Sequence, residues 1–175
     1  GGVVEEMWEN GQHTAILKYG DMLPVELIKT NAEFCLYYSW ILISAGKIQK
    51  AELFLESAGQ NTKNSIQECD PASGKIKYFN KLLGKISVAS AYLNSYEKHS
   101  EKIFDSCKTA FDYLTDDDPL WYSWAWFSYG IAHFSNGDLF RSNDAFQKAF
   151  GYGKKSGNVY LISTIISRMA DTEQQ

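Results

Sequence analysis

Apolar residues recur through most of this chain at spacings of three and four, the period that places them on one face of a helix, and short polar or glycine-bearing stretches interrupt them. The segment "NAEFCLYYSWILISAGKIQKAELFLESAG" shows the design. Asn31 stands at an N-cap position, an apolar run reaches Ala45, and Gly46 stops it. Ile48, Ala51, Leu53, Phe54 and Ala58 then share a face of a second helix, so the spacing predicts a helical hairpin over about 31–60. "KYFNKLLGKISVASAYLNSYEKHSEKIFDSCKTAFDYL" predicts another over about 76–115, with a polar turn around Glu97 to Ser100. A third covers about 118–156: acidic residues and Pro119 open its first helix, Gly137 ends it, and Lys154-Lys155-Ser156-Gly157 closes its second. Ahead of these, "VVEEMWENGQHTAILKYGDMLPVELIK" reads as the end of one helix, a turn at Gly11, a helix to about Leu23 and a helical turn after Pro24. The polar stretch "QNTKNSIQECDPASG" is expected to be a loop or a short extra helix. Residues 158–175 read as an unpaired C-terminal helix, the first half of a further hairpin.

The hairpins share a register. Asp105-x4-Ala110-Phe111 superimposes on Asp144-x4-Ala149-Phe150 at an offset of 39, and Ala58 holds the same position 52 residues before Ala110. Trp126-x2-Tyr129-Gly130-x2-His133 is close to the W-x2-L-G-x2-Y signature of a tetratricopeptide first helix. The expected fold is therefore all-α: one domain over 1–175, built of tetratricopeptide-like antiparallel hairpins stacked in a right-handed superhelix. Lys98 departs from the pattern, standing where the other hairpins carry Gly46 and Gly137, and Ser142 replaces the usual small alanine.

Trp8 with Gly11, then Asp21-Met22-Leu23-Pro24, then Leu36, Tyr38, Trp40, Gly46, the Ala51-Glu52 pair, Leu55 and Ala58 follow one another in an order that resembles the start of a known repeat region. It is the tetratricopeptide-like, MalT-type region of large ATP-dependent LuxR-type transcription activators. Gly137 to Asn158 is similar to the repeat ending of the same family. The resemblance implies a full-length protein with an N-terminal nucleotide-binding module, this helical-repeat sensor and a C-terminal helix-turn-helix domain. It also implies that the segment binds a small inducer, such as a sugar, or a regulatory protein, and controls self-association. The chain begins without an initiating Met and reads as a piece of such a protein. It contains no G-x4-G-K-[ST] phosphate loop, so ATP binding is not assigned to it. A generic tetratricopeptide scaffold for protein–protein interaction is the alternative.

Charge and composition narrow the function classes. The net charge of −4 comes from 17 basic and 21 acidic residues with no basic block, so no direct nucleic-acid contact is expected. Cys35, Cys69 and Cys107 form no C-x-x-C pair and point to a reducing cytoplasm. No apolar run approaches the ~20 residues that span a bilayer. His13, His99 and His133 are isolated from one another, and His133 sits at an inward repeat position. Asp116-Asp117-Asp118 precede a Pro-led helix, where acids complement the helix dipole. Cys107 lies at an apolar position. No nucleophile-and-base pair emerges, and no enzyme activity, metal or cofactor is expected.

The aromatic residues supply the candidate site. "LWYSWAWFSYGIAHFSNG" carries seven aromatic rings in eighteen positions. By repeat spacing Trp126, Tyr129 and Gly130 pack inward, whereas Trp124, Phe127, Ile131 and Phe134 face a concave groove. The same offsets place Lys85, Val88, Tyr92, Ser95 and Tyr96 on the groove side of the middle hairpin, and Glu33, Leu36, Trp40, Ile43 and Ser44 on that of the first. A groove lined by Trp40, Lys85, Tyr92, Tyr96, Trp124 and Phe127 suits stacking on sugar rings or gripping an amphipathic peptide. The competing expectation is that neighbouring repeats simply cover these rings.

Overall fold

The computed structural model describes residues 2–97 and 99–173. These form ten α-helices: α1 (Val3–Glu9), α2 (His13–Met22), α3 (Val25–Lys29), α4 (Ala32–Ser44), α5 (Ile48–Glu68), α6 (Lys75–Glu97), α7 (Ser100–Tyr113), α8 (Pro119–Ser135), α9 (Leu139–Ser156) and α10 (Val159–Glu173). A 3-10 turn, Pro71–Ser73, links α5 to α6, and no strand occurs among the described residues. The fold is all-α. The chain divides into two compact units, Gly1–Ala89 and Ser90–Gln175, with the boundary inside α6.

The boundaries follow local chemistry. Asn31 caps α4 by accepting a hydrogen bond from the Phe34 amide at 2.9 Å, and Asp138 does the same for α9 through the Arg141 amide at 3.0 Å. Gly46 and Gly137 adopt φ of 73° and 76°, the left-handed conformation that lets the chain reverse after α4 and α8. In both turns an amide reaches back five residues, Lys47 to the Leu42 carbonyl at 2.8 Å and Asp138 to the His133 carbonyl at 3.0 Å. The departure noted at Lys98 falls outside the described residues.

The polar stretch expected as a loop or a short extra helix is divided: its first part continues α5 through Glu68, and only the rest, with the 3-10 turn Pro71–Ser73, leaves the α-helix. Polarity alone does not end a helix; no proline occurs before Pro71, and the side chains in between work for the helix. Thr62 turns its hydroxyl onto the Ala58 carbonyl at 2.8 Å, Gln60 pairs with Asn64 at 2.8 Å, and Asn61 donates to the Lys29 carbonyl at 2.6 Å, tying α5 to the end of α3.

Each unit builds its own core. In the first, Tyr38 packs on Phe54 across the α4–α5 hairpin with ring centroids 5.2 Å apart, and every residue of α4 from Cys35 to Ile43 is buried. In the second, Ala91, Ile103, Cys107 and Ala132 bring α6, α7 and α8 together, while Gly130 of α8 lies against the Phe146 ring of α9. The hairpins cross at equivalent small-residue positions 91 residues apart. Ser39 donates to the Ala51 carbonyl at 3.1 Å in α4–α5, and Ser142 donates to the Gly130 carbonyl at 3.0 Å in α8–α9. Residues 39 and 130 occupy one position, 51 and 142 the other; the donor has changed helix. Ser123, about two turns earlier on α8 than Gly130, donates to the Ala149 carbonyl at 2.7 Å, so α8 and α9 run antiparallel.

Candidate functional site

The six residues picked out by repeat spacing divide between the units, Trp40 and Lys85 in the first and Tyr92, Tyr96, Trp124 and Phe127 in the second. In the second unit the four converge. Tyr92 of α6 lies 4.8 Å from Trp124 and 6.5 Å from Phe127 of α8, centroid to centroid, and Tyr92 and Tyr96 bring their hydroxyls to 3.0 Å. Burial raises the Tyr92 phenol pKa well above its ordinary value, and the Tyr96 hydroxyl adds to the effect. Tyr160 and Arg168 of α10 also act electrostatically on this phenol. Tyr96 is half exposed and Tyr160 more so, giving the cluster an accessible edge.

Its inner part is not open. Trp124 is 4% exposed and Phe127 1%, where spacing put both on a groove facing solvent. Trp124 is enclosed between Tyr92 and Phe127, the latter at 5.5 Å, and Phe127 continues into the core against Phe146 at 5.8 Å. Trp126, expected to be the inward ring, is the less enclosed of the two tryptophans. One face rests on Phe111 at 4.6 Å, and the Lys148 ammonium sits 4.5 Å from its centroid. Repeat spacing does not order the two tryptophans by burial, because how far a neighbouring ring reaches over a position is a matter of side-chain size, which the period does not carry.

The other tested positions read as structure. His133 is buried between Phe104 at 4.9 Å and Tyr129 at 4.7 Å, its Nδ1 lies 3.7 Å from Asp138, and its Nε2 has no hydrogen-bond partner. Burial lowers its pKa against the opposing pull of Asp138. Cys107 donates to the Ala125 carbonyl at 3.5 Å and Cys35 to the Ile28 carbonyl at 3.2 Å, and burial raises both thiol pKa values, that of Cys35 to about 12. Both thiols are held protonated and poorly nucleophilic.

In the first unit Trp40 is buried edge-on against Trp8 at 6.3 Å. Lys85 is buried too, and it leads to an arrangement that spacing missed. A cleft of ≈ 120 Å³ is lined by Glu5 of α1, Glu33 and Tyr37 of α4, and Tyr78, Lys81, Leu82 and Lys85 of α6. Glu5 receives hydrogen bonds from the Lys85 ammonium and, at 2.7 Å, from the Tyr37 hydroxyl. Burial works to raise the Glu5 pKa, but the bonds from Lys85 and Tyr37 outweigh it and hold the carboxyl below its usual value. Glu33 accepts from the Gly2 amide at 2.9 Å. The Tyr78 phenol is raised by burial and then by the Glu33 and Glu5 charges. Repeat spacing placed Lys85 on the groove side of the middle hairpin; its acid partner lies 80 residues away, and no local pattern connects them.

Compared with models of protein families, with curated proteins and with solved structures, the chain has no significant match. Its function is therefore argued from its own residues. Among the described residues no three His, Cys, Asp or Glu side chains are grouped to hold a metal ion, and no helix is long and apolar enough to cross a membrane.

Proposed function

We propose that this chain acts by binding, as a tetratricopeptide-like helical-repeat region serving as the sensor and interaction part of a cytoplasmic LuxR-type transcription activator. The repeat reading rests on the crossing shared by α4–α5 and α8–α9, with the same small-residue positions and the same glycine turn recurring 91 residues apart. Hairpins that cross alike can stack alike, each covering its neighbour's open face, which is the logic of an α-solenoid and of its right-handed superhelix. The interaction reading is supported by Tyr92, Tyr96, Trp124 and Phe127, whose rings gather at one place and leave Tyr96 accessible. Binding of an inducer or regulatory protein would favour one of two arrangements relative to flanking domains and so control self-association. Contact with DNA would belong to those domains.

The generic protein-binding scaffold stays as a second reading, because an exposed tyrosine edge serves a peptide as well as an inducer. The flanking gene sequence separates them. A phosphate-loop module upstream with a helix-turn-helix downstream supports the activator; their absence leaves the scaffold. Small-angle scattering from the chain tests the solenoid, since a compact globule in place of an elongated particle overturns it.

A further inference from the structure

We propose that the cleft between α1, α4 and α6 binds a small zwitterion, a free α-amino acid or a molecule built like one. The inference stands on the cleft itself and holds whether or not the chain belongs to a transcription activator. Six of its seven lining side chains are polar: the carboxylates of Glu5 and Glu33, the ammonium groups of Lys81 and Lys85, and the phenols of Tyr37 and Tyr78. Leu82 is the one apolar member. The cleft opens to solvent at Tyr78 and Lys81 and brings charges of both signs to a shared space.

Burial makes the arrangement costly to keep for stability alone. The side chains of Lys85 and Glu5 are 9% and 16% exposed, and a buried ion pair gains little over well-packed apolar residues of the same volume. The two acids and two bases cancel formally, so a simple anion or cation finds no net attraction. A molecule carrying an ammonium and a carboxylate a few ångströms apart can set each against its opposite: the ammonium towards Glu33 and Glu5, the carboxylate towards Lys81 and Lys85. The Tyr37 hydroxyl is already committed to Glu5 at 2.7 Å and steadies that carboxylate, while the Tyr78 phenol lines the cleft beside Glu33 and Glu5. With a volume of ≈ 120 Å³, the cleft suits a ligand of a few heavy atoms.

Isothermal titration calorimetry on the whole chain tests this with glycine and L-alanine as zwitterions, acetate and methylammonium as the two halves, glycerol as a neutral polyol and inorganic phosphate as a plain anion. Saturable millimolar binding of glycine or L-alanine, with the other four silent, is expected. Lys81→Met and Glu33→Gln keep both Glu5 and Lys85 in the chain, and each is expected to weaken the zwitterion about tenfold, close to 1.4 kcal/mol. Lys85→Met tests the buried ammonium but strands Glu5, so it is read only if circular dichroism shows native helix content. No saturable heat with either zwitterion overturns the proposal. So does binding of phosphate or acetate as tight as that of L-alanine, which makes the cleft an anion site, or equal binding of glycerol, which makes it a polyol site. Zwitterion binding unchanged in both Lys81→Met and Glu33→Gln places the ligand elsewhere and also overturns it.

Discussion

The α4–α5 hairpin and the α8–α9 hairpin solve one packing problem with opposite assignments. At their shared crossing the hydroxyl comes from the first helix in α4–α5, as Ser39, and from the second in α8–α9, as Ser142. The facing residue is Ala51 in one and Gly130 in the other, and in both the helices approach closely enough for a serine to reach the opposite backbone. Both hairpins therefore bring a serine hydroxyl to the opposite backbone, while the helix that provides the hydroxyl differs between them. Their surroundings differ more. In α4–α5 the cross-helix ring contact is Tyr38 on Phe54, with the Tyr38 hydroxyl 2.8 Å from Asp21, whereas α8 is enclosed by rings from α6, α7 and α9.

The strongest way to break the comparison lies in that ring shell. Trp124→Ala removes an indole enclosed by Tyr92 and Phe127 and is expected to cost ~3–5 kcal/mol, whereas Trp126→Ala, with Lys148 as part of its cover, should cost roughly half as much. Urea melts of both variants decide the order. A larger loss for Trp126→Ala restores the inward assignment that repeat spacing gave it.

Next come the glycines that admit rings. A Cβ on Gly130 would meet the Phe146 ring at 2.6 Å, and one on Gly20 of α2 would meet the Tyr38 ring at 2.2 Å. Gly130→Ala and Gly20→Ala should each destabilise by about 1–3 kcal/mol despite alanine's better helix propensity. Thermal unfolding that shows either variant more stable than the parent would mean that ring gives way at little cost. The crossing serines follow, with Ser39→Ala and Ser142→Ala each expected to cost about 1 kcal/mol. Equal losses in the two sharpen the equivalence of the sites; a loss in one alone breaks it.

The helical pattern and its stops were legible in the sequence because they are local. Asn31, Gly46, Pro119, Gly137 and Gly157 mark chain positions where a backbone group needs a cap or a positive φ, and those needs depend on residues a few places away. The extension of α5 was illegible because its polar residues look like a loop until Asn61 is seen reaching Lys29. The candidate site was half legible: spacing named Tyr92, Tyr96, Trp124 and Phe127 together and left open whether neighbours cover the rings, as they do for Trp124 and Phe127. The Glu5–Lys85 cleft was out of reach, since long-range ion pairs leave no period behind.

The smallest expected effect is one of pH. Burial depresses the His133 pKa, and among the charged groups that act on it Asp138 opposes the shift and Arg141 reinforces it. The folded state then holds its proton less tightly than the unfolded chain, whose histidine titrates near about 6.5. Stability from this group is present above that pH and is lost as pH falls through it. Urea midpoints measured on either side should differ in the parent and differ less in His133→Gln. An undiminished difference would assign the pH dependence to other groups.

The short reversals bear on how quickly this chain finds its structure. Only residues 45–47 separate α4 from α5, and only 136–138 separate α8 from α9, so little chain entropy is spent before each pair of helices can touch. Nuclei of such low contact order form early, and refolding on the order of microseconds to milliseconds is expected by fluorescence from Trp121, Trp124 and Trp126. Gly46→Ala and Gly137→Ala would report whether the reversals are already made at the barrier: each forces an alanine to a φ near 75°, and a slowed folding limb with an unchanged unfolding limb would place that turn inside the transition state.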